Sequence, residues 1–249
     1  MTYITVRDTL PLVWHLRSTG MTGAALQIAL LTRCQAILPP HRHVIVHGDN
    51  EFGSVAVMHW VRAHGWDFIL GQAAKNYYRS GLSATPRQLC ELPVTLSRPA
   101  YRRAVHLTKR HWFGPVNLFA FFQPTYHRNR RKKDVRYYAT SLPIAPTLRR
   151  VGQRRWGIEC YFKDFKSAGW QLPMSHMRHG KRLEALLIIL NLVYTWATCL
   201  GRWLCKTSQR ACVDGHLSRQ LSLFCIGWDW LVHAIRSDSL CPKLSTLYL

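Results

Sequence analysis

The stretch HVIVHGDNEFGSVAVMHWVRA, residues 43–63, changes its period in the middle. His43-Val-Ile-Val-His47 is short, apolar and β-branched, which predicts a buried strand. Gly48-Asp49-Asn50 breaks it. Residues 53–63 then read as a helix that His64-Gly65 ends. A strand that runs through a tight turn into a helix is the signature of an α/β domain. In open α/β sheets, sites collect beyond the carboxyl ends of strands, which is where Asp49 falls. Gly48 and Gly53 permit the tight turn. The same Asp also suits a plain turn or helix cap, and the local pattern leaves both readings open.

Outward from this unit the elements alternate in kind. Upstream, residues 3–6 and 9–16 read as two extended segments, with Arg7-Asp8 as the hairpin turn. Residues 21–38 have a helical apolar pattern that Pro39-Pro40 stops. Downstream, residues 68–78, 101–109, 115–124 and 135–142 are rich in β-branched and aromatic side chains, which predicts an antiparallel sheet. Its most basic segment, residues 126–133 (YHRNRRKK), is read as a loop. Helices return with an amphipathic stretch at 155–167, a long apolar one at 182–204 and a third within 220–235. The fold class is α/β with a β-rich insertion.

The chain has 249 residues, with 34 Lys+Arg against 12 Asp+Glu, for a net charge of +22. Hydrophobic residues make up 48% and aromatic ones 12%, which excludes a disordered basic tail. Such a charge calls for a polyanionic partner. Nucleic acid leads, because each neutralised phosphate releases counterions; an anionic membrane surface is the competitor. The start of the chain lacks the basic-then-apolar pattern of a secretory signal. The longest apolar stretch, residues 185–200, is sixteen residues long and is read as a core helix, because a bilayer span needs about 20. The eight cysteines form no CxxC pair and read as reduced, mostly buried thiols of a cytosolic protein.

The scarcity of acid narrows the search for chemistry. Asp67, Glu91, Asp134, Asp214 and Asp238 read as turn or loop residues. Asp164 and Glu184 read as partners for nearby Lys or Arg on helix faces. Glu159 stands apart. On a regular helix Arg155, Glu159 and Lys166 fall within about 40° of one another, beside an apolar face of Ile158, Phe162 and Phe165. Arg155 and Glu159 can simply form an i,i+4 ion pair. Alternatively the carboxylate holds a divalent metal while Arg and Lys hold phosphates, as two-metal phosphoryl transfer requires.

At these residues the sequence resembles the DDE transposases of bacterial insertion sequences. It is most similar to the subgroup with a Tyr-x2-Arg-x3-Glu-x6-Lys signature and a β-insertion in an RNase H-like core. The resemblance is carried by TLPLVWHLRS (9–18), VIVHGDNEFGS (44–54), RRWGIECYFKDFKSAGW (154–170) and RQLSLFCIGWDWL (219–231). It implies that Asp49 and Glu159 are catalytic metal ligands for Mg2+ or Mn2+. It implies that Arg155 and Lys166, with Lys163 and Trp156 on the same helix, contact DNA. Trp112, within the insertion, is in the position of an aromatic offered to a flipped base.

The resemblance divides the chain into an RNase H-like core from its second strand (1–66), a β-rich insertion (67–149), a second core part with the Glu helix (150–206) and a C-terminal helical segment (207–249). Two departures are visible. Gly152 stands where the signature has Tyr. The family's first catalytic Asp precedes the 9–18 hairpin, and Asp8, within the hairpin turn, is a poor substitute. The expectation is therefore a transposase that cleaves and joins DNA phosphodiesters with a metal. This copy is expected to be N-terminally truncated, without its first core strand, and inactive alone. The alternative is a non-catalytic, basic DNA-binding remnant. The implied partners are double-stranded DNA (transposon ends and target) and a second copy of the chain in a paired-end complex, with no membrane; the implied location is the bacterial cytoplasm, at the nucleoid.

Overall fold

The computed structural model describes residues 2–4, 9–13, 22–96, 98–127, 130–153, 156–168, 170–171, 176–177 and 179–237. The chain separates into two compact units, residues 18–155 and residues 1–17 with 156–249.

In the 18–155 unit the strand–turn–helix of the opening stretch forms as β3 (Ile45–Gly48) and α2 (Val55–Ala63). Helix α2 starts where the Ser54 hydroxyl accepts from the Val57 N–H at 3.3 Å, so Ser54 and not Asp49 is its cap. It is preceded by α1 (Ala24–Ile37), which ends at the expected prolines. Val57, Met58 and Val61 of α2 are fully buried, as are Phe68, Ile69 and Leu70 of β4 (Asp67–Gln72). Full burial of such a side chain contributes about 1.5–3 kcal/mol.

The aromatic, β-branched segments of 68–142 form β5 (Tyr77–Arg79), β6 (Arg87–Gln88), β7 (Ala100–Leu107), β8 (Phe113–His127) and β9 (Arg130–Thr140). They are continuous with the first strands in one seven-stranded sheet of order β3-β4-β9-β8-β7-β5-β6. β3 and β4 are parallel, with Gly48 opposite Leu70; β4 and β9 are antiparallel, with Gly71 opposite Tyr138. Among the described strands β3 is terminal and pairs only with β4. Phe119, Phe121 and Tyr138 stack on one face with centroids 5.1–6.1 Å apart. With Ile69 and Leu148 of the short helix α3 (Leu148–Gln153) they make a core cluster.

Two sequence readings change here. The described residues of the basic run, 126–127 and 130–133, form the far end of the β8–β9 ladder rather than a loop, with Tyr126 opposite Arg131 and His127 opposite Arg130. Strand pairing leaves alternate residues solvated, so a basic segment need not be irregular. Asp67 and Asp134 lie in strands rather than turns. Asp67 receives the Ser141 hydroxyl at 2.6 Å and sits 2.7 Å from His43 Nε2, which ties the start of β4 to its neighbours.

In the other unit β1 (Thr2–Ile4) pairs antiparallel with β2 (Thr9–Pro11). The expected turn, with Asp8, lies outside the described residues. The hairpin contacts α4 (Trp156–Lys163) and α5 (Gly180–Lys206). α5 packs along α6 (Leu223–Arg236) over a core of Tyr161, Phe165, Tyr194, Leu200, Leu204, Phe224 and Leu231. The two helices meet backbone to backbone: a β-carbon on Gly227 would come within 1.8 Å of the Ala197 carbonyl oxygen.

The long apolar helix is longer than read and only part of it is core. Asn191, Tyr194 and residues 197–201 are buried, but Ile188, Ile189 and Leu192 are exposed. By length and composition α5 could cross a membrane, with a mean hydropathy of 1.8 over its most apolar window. None of the described cysteines forms a disulfide; Cys34 and Cys199 are buried, while Cys90 and Cys212 are exposed, against the expectation of mostly buried thiols.

Candidate active site

The loop after β3 is held in place from several sides. Asp49 Oδ1 accepts from the Glu51 N–H at 3.0 Å, and the Phe52 N–H donates to the Asp49 carbonyl at 3.1 Å. Asp49 therefore does make the turn that the sequence allowed, an Asx-turn. Its side chain nonetheless remains exposed at the strand end. The Glu51 carboxylate is used differently, accepting from the Thr22 N–H. Gln27, fully buried on α1, donates to the carbonyls of Thr22 and Glu51 at 2.8 and 3.1 Å. Gln72 of β4 donates to the Gly53 carbonyl at 3.2 Å. The loop is thus clamped by α1 and β4, which fixes the Asp49 backbone before any ligand arrives.

Beside Asp49 lies an open cavity of about 210 Å³, lined by Asp49, Asn50, Glu51, Gly71, Arg136, Tyr137 and Tyr138. It has room for a phosphate group and several waters, each occupying about 30 Å³. Gly71 makes it possible, because a side chain there would occupy the space of the Asp49–Asn50 backbone. Arg136 and Tyr138 reach the cavity from β9, through the pairing of β9 with β4. Nothing in the sequence singled them out.

Glu159 lies partly buried on α4, in the other unit, where it makes interactions of its own. Lys163 and Lys166 are exposed on the same segment. Arg155 lies outside the described residues, as does the side chain of Trp156. The regular helix read over 155–167 is corrected: after Lys163 the chain enters a π-helical turn, Asp164–Ala168. Its wider turn shifts the phase, so Lys166 does not follow Glu159 at 100° per residue. Lys166 Nζ stands 5.9 Å from the Phe162 ring centroid.

Asp164 is corrected too. It is buried rather than on an open helix face, receiving the Ser222 hydroxyl at 3.3 Å and the Tyr194 hydroxyl at 3.4 Å, with the Lys163 charge acting on it as well. Burial pushes its carboxyl above the ordinary value, although these donors pull the other way. Burial likewise raises the phenols of Tyr161 and Tyr194, so both stay protonated donors. The Tyr161 hydroxyl donates to Asn191 Oδ1 at 2.6 Å.

Trp112 sits at the β7–β8 turn with φ at 46°, half-buried, and the Arg79 guanidinium lies 4.1 Å from its ring. One face of the indole is therefore occupied by a cation. Trp112 does not line the Asp49 cavity.

A mixed α/β domain that presents a carboxylate in a clamped loop after a parallel strand is built like enzymes whose sites lie at strand ends. The sequence matches the transposase DDE domain over residues 21–196, most of the chain, and the protein belongs to that family. No curated protein matches it. The matched span contains both Asp49 and Glu159.

The family generally uses a divalent metal. The Asp49 carboxylate and the Asn50 amide oxygen are hard donors of the kind Mg2+ and Mn2+ take. Among the described residues no three His, Cys, Asp or Glu side chains gather into a metal-holding group. The cavity therefore fits a hard cation through Asp49, with the rest of the coordination shell supplied from elsewhere.

Proposed function

We propose that this protein is an insertion-sequence transposase of the Tyr-x2-Arg-x3-Glu-x6-Lys type, whose DDE domain has an RNase H-like core interrupted by a β-rich insertion. The observation that carries this reading is the single family match that runs through both Asp49 and Glu159. Asp49 and Glu159 would hold Mg2+ or Mn2+, and Arg155, Lys163 and Lys166 would hold DNA phosphates, with Trp156 and Trp112 as further DNA contacts. When bound, the metals stabilise the attacking and leaving oxygens of a phosphodiester.

The chain's own residues supply position and charge. The Asx-turn and the Gln27 and Gln72 clamps hold Asp49 at the strand end. The basic excess draws DNA in and makes its binding salt-dependent. Partners on this reading are transposon-end and target DNA and a second copy of the chain, in a bacterial cytoplasm.

Only two acids of a DDE triad are assigned, so the 249 residues alone should cleave DNA poorly. A second reading, a DNA-binding protein without catalysis, is favoured by that same shortage. A nicking assay separates the two. Both readings expect tight, salt-sensitive binding of duplex DNA by the purified chain. Mn2+-dependent nicking abolished by Asp49→Asn would establish the enzyme; binding without nicking supports the second reading; absence of DNA binding contradicts both.

A further inference from the structure

We infer that Arg136 is the phosphate-seating residue of the Asp49 cavity, and that Asp134 occupies it until DNA arrives. This inference rests on the DNA reading above. Arg136 and Asp49 line the same cavity, yet no ion pair joins them. The Arg136 guanidinium pairs instead with Asp134, Nη2 to Oδ2 at 3.2 Å. Both side chains are more than two-fifths exposed, 41% and 44%. A pair so exposed is worth about 1 kcal/mol or less and is readily exchanged. Arg136 Nε is buried and has no hydrogen-bond partner. A guanidinium has five N–H donors in a fixed fork, and Asp134 engages it through Nη2 alone.

A DNA phosphate supplies what is missing. Its two free oxygens match the guanidinium fork and bind it bidentately, which a single carboxylate oxygen at 3.2 Å does not. The separation of the cation from the Asp49 carboxylate also matters. A direct Arg–Asp pair would occupy the carboxylate oxygens needed for a metal. With Arg136 turned to Asp134, the Asp49 oxygens are not taken up by the guanidinium and the cavity between them is left for the anionic substrate. β9 delivers Arg136 here because Tyr137 and Tyr138, next in the strand, are locked opposite Gln72 and Gly71 of β4.

The test is binding of fluorescein-labelled duplex DNA to the purified 249-residue chain in EDTA, read by anisotropy across a salt series. R136Q is expected to weaken binding about tenfold and to make the slope of log K on log salt shallower by about one. R103Q, which removes an exposed Arg on β7 outside the cavity, is the comparison. R136K should fall between R136Q and the wild type, since it keeps the charge and loses the fork. D134N should tighten binding by freeing Arg136.

D49N should also tighten metal-free binding, by removing a carboxylate beside the seated phosphate, and that gain should vanish in D49N/R136Q. The inference is overturned if R136Q weakens binding no more than R103Q, or if the D49N gain persists without Arg136. Should R136Q unfold, as circular dichroism would reveal, R136K and D134N decide in its place: no loss in the first and no gain in the second overturn the seat. If the wild type itself fails to bind DNA, the DNA reading fails, and the seat with it. A wild type that binds while the variants change nothing removes only the seat.

Discussion

Gly71 lies against the backbone of Asp49: a β-carbon on Gly71 would come within 2.8 Å of the Asp49 carbonyl carbon and within 2.6 Å of Asn50 Oδ1. The absence of one side chain on β4 therefore sets where the acid of the candidate site stands. Gly71→Ala forces the loop away from the strand. The expected cost is about 1–3 kcal/mol of stability, typical of overpacking. Chemical denaturation measures the cost, and Mn2+ affinity should fall with it. An alanine that leaves both unchanged would mean that the loop is not held as described.

The contact of α5 with α6 makes a similar demand on Gly227. An alanine there would place its β-carbon 1.8 Å from the Ala197 carbonyl oxygen, a backbone atom that cannot swing aside. Gly227→Ala should destabilise the unit that carries Glu159 by about 1–3 kcal/mol or more. Hydrogen exchange should localise the loss to α5 and α6.

The pH dependence of stability should carry two opposite contributions from this same unit. Asp164 is raised by burial, so its native form binds a proton more readily than its unfolded form. Stability then falls as pH rises from the ordinary carboxylate value through the raised one. Asp164→Asn removes the charge but keeps an oxygen for Tyr194 and Ser222. It should flatten that fall and leave the neutral-pH protein at least as stable. Equilibrium unfolding across a pH series checks both.

Asp214 works the other way. Burial alone would raise it, but the N–H groups of Gln220 and His216, at 3.1 and 3.4 Å, and the Arg210 guanidinium, at 3.0 Å, hold it below the ordinary value. Its contribution is present above the unfolded pKa and is lost as pH falls through the lowered native one. Asp214→Asn should reduce stability at neutral pH and remove this acid-side loss. The same unfolding series reads it.

The legible parts of the fold are those where one period dominates. The strand read at 43–47 forms at Ile45–Gly48 and the helix read at 53–63 forms at Val55–Ala63, because a β-branched run and a helical apolar face sit either side of a Gly-rich turn. Of the segments read at 3–6 and 9–16, strands form at Thr2–Ile4 and Thr9–Pro11; the segment read at 68–78 is split into β4 and β5, and the two-residue β6 is too short for any period to show. The strand character of residues 126–127 and 130–133 is not legible from their charge, because strand pairing uses backbone groups and tolerates any side chain. The π-turn at 164–168 was not legible. It accompanies a buried Asp164 that meets Ser222 and Tyr194, contacts that no local pattern encodes. Arg136 was hidden for a related reason: only the register of β9 on β4 brings it to the Asp49 loop. The acids themselves stood out because there are only twelve.

We propose Asp49 and Glu159 each as a metal ligand, and a Mn2+ titration followed by electron paramagnetic resonance tests both most directly. The proteins are the wild type, Asp49→Asn and Glu159→Gln. The proposal predicts that each single change weakens Mn2+ binding about tenfold or more. Unchanged Mn2+ binding in Asp49→Asn or in Glu159→Gln would contradict that acid's role as a ligand.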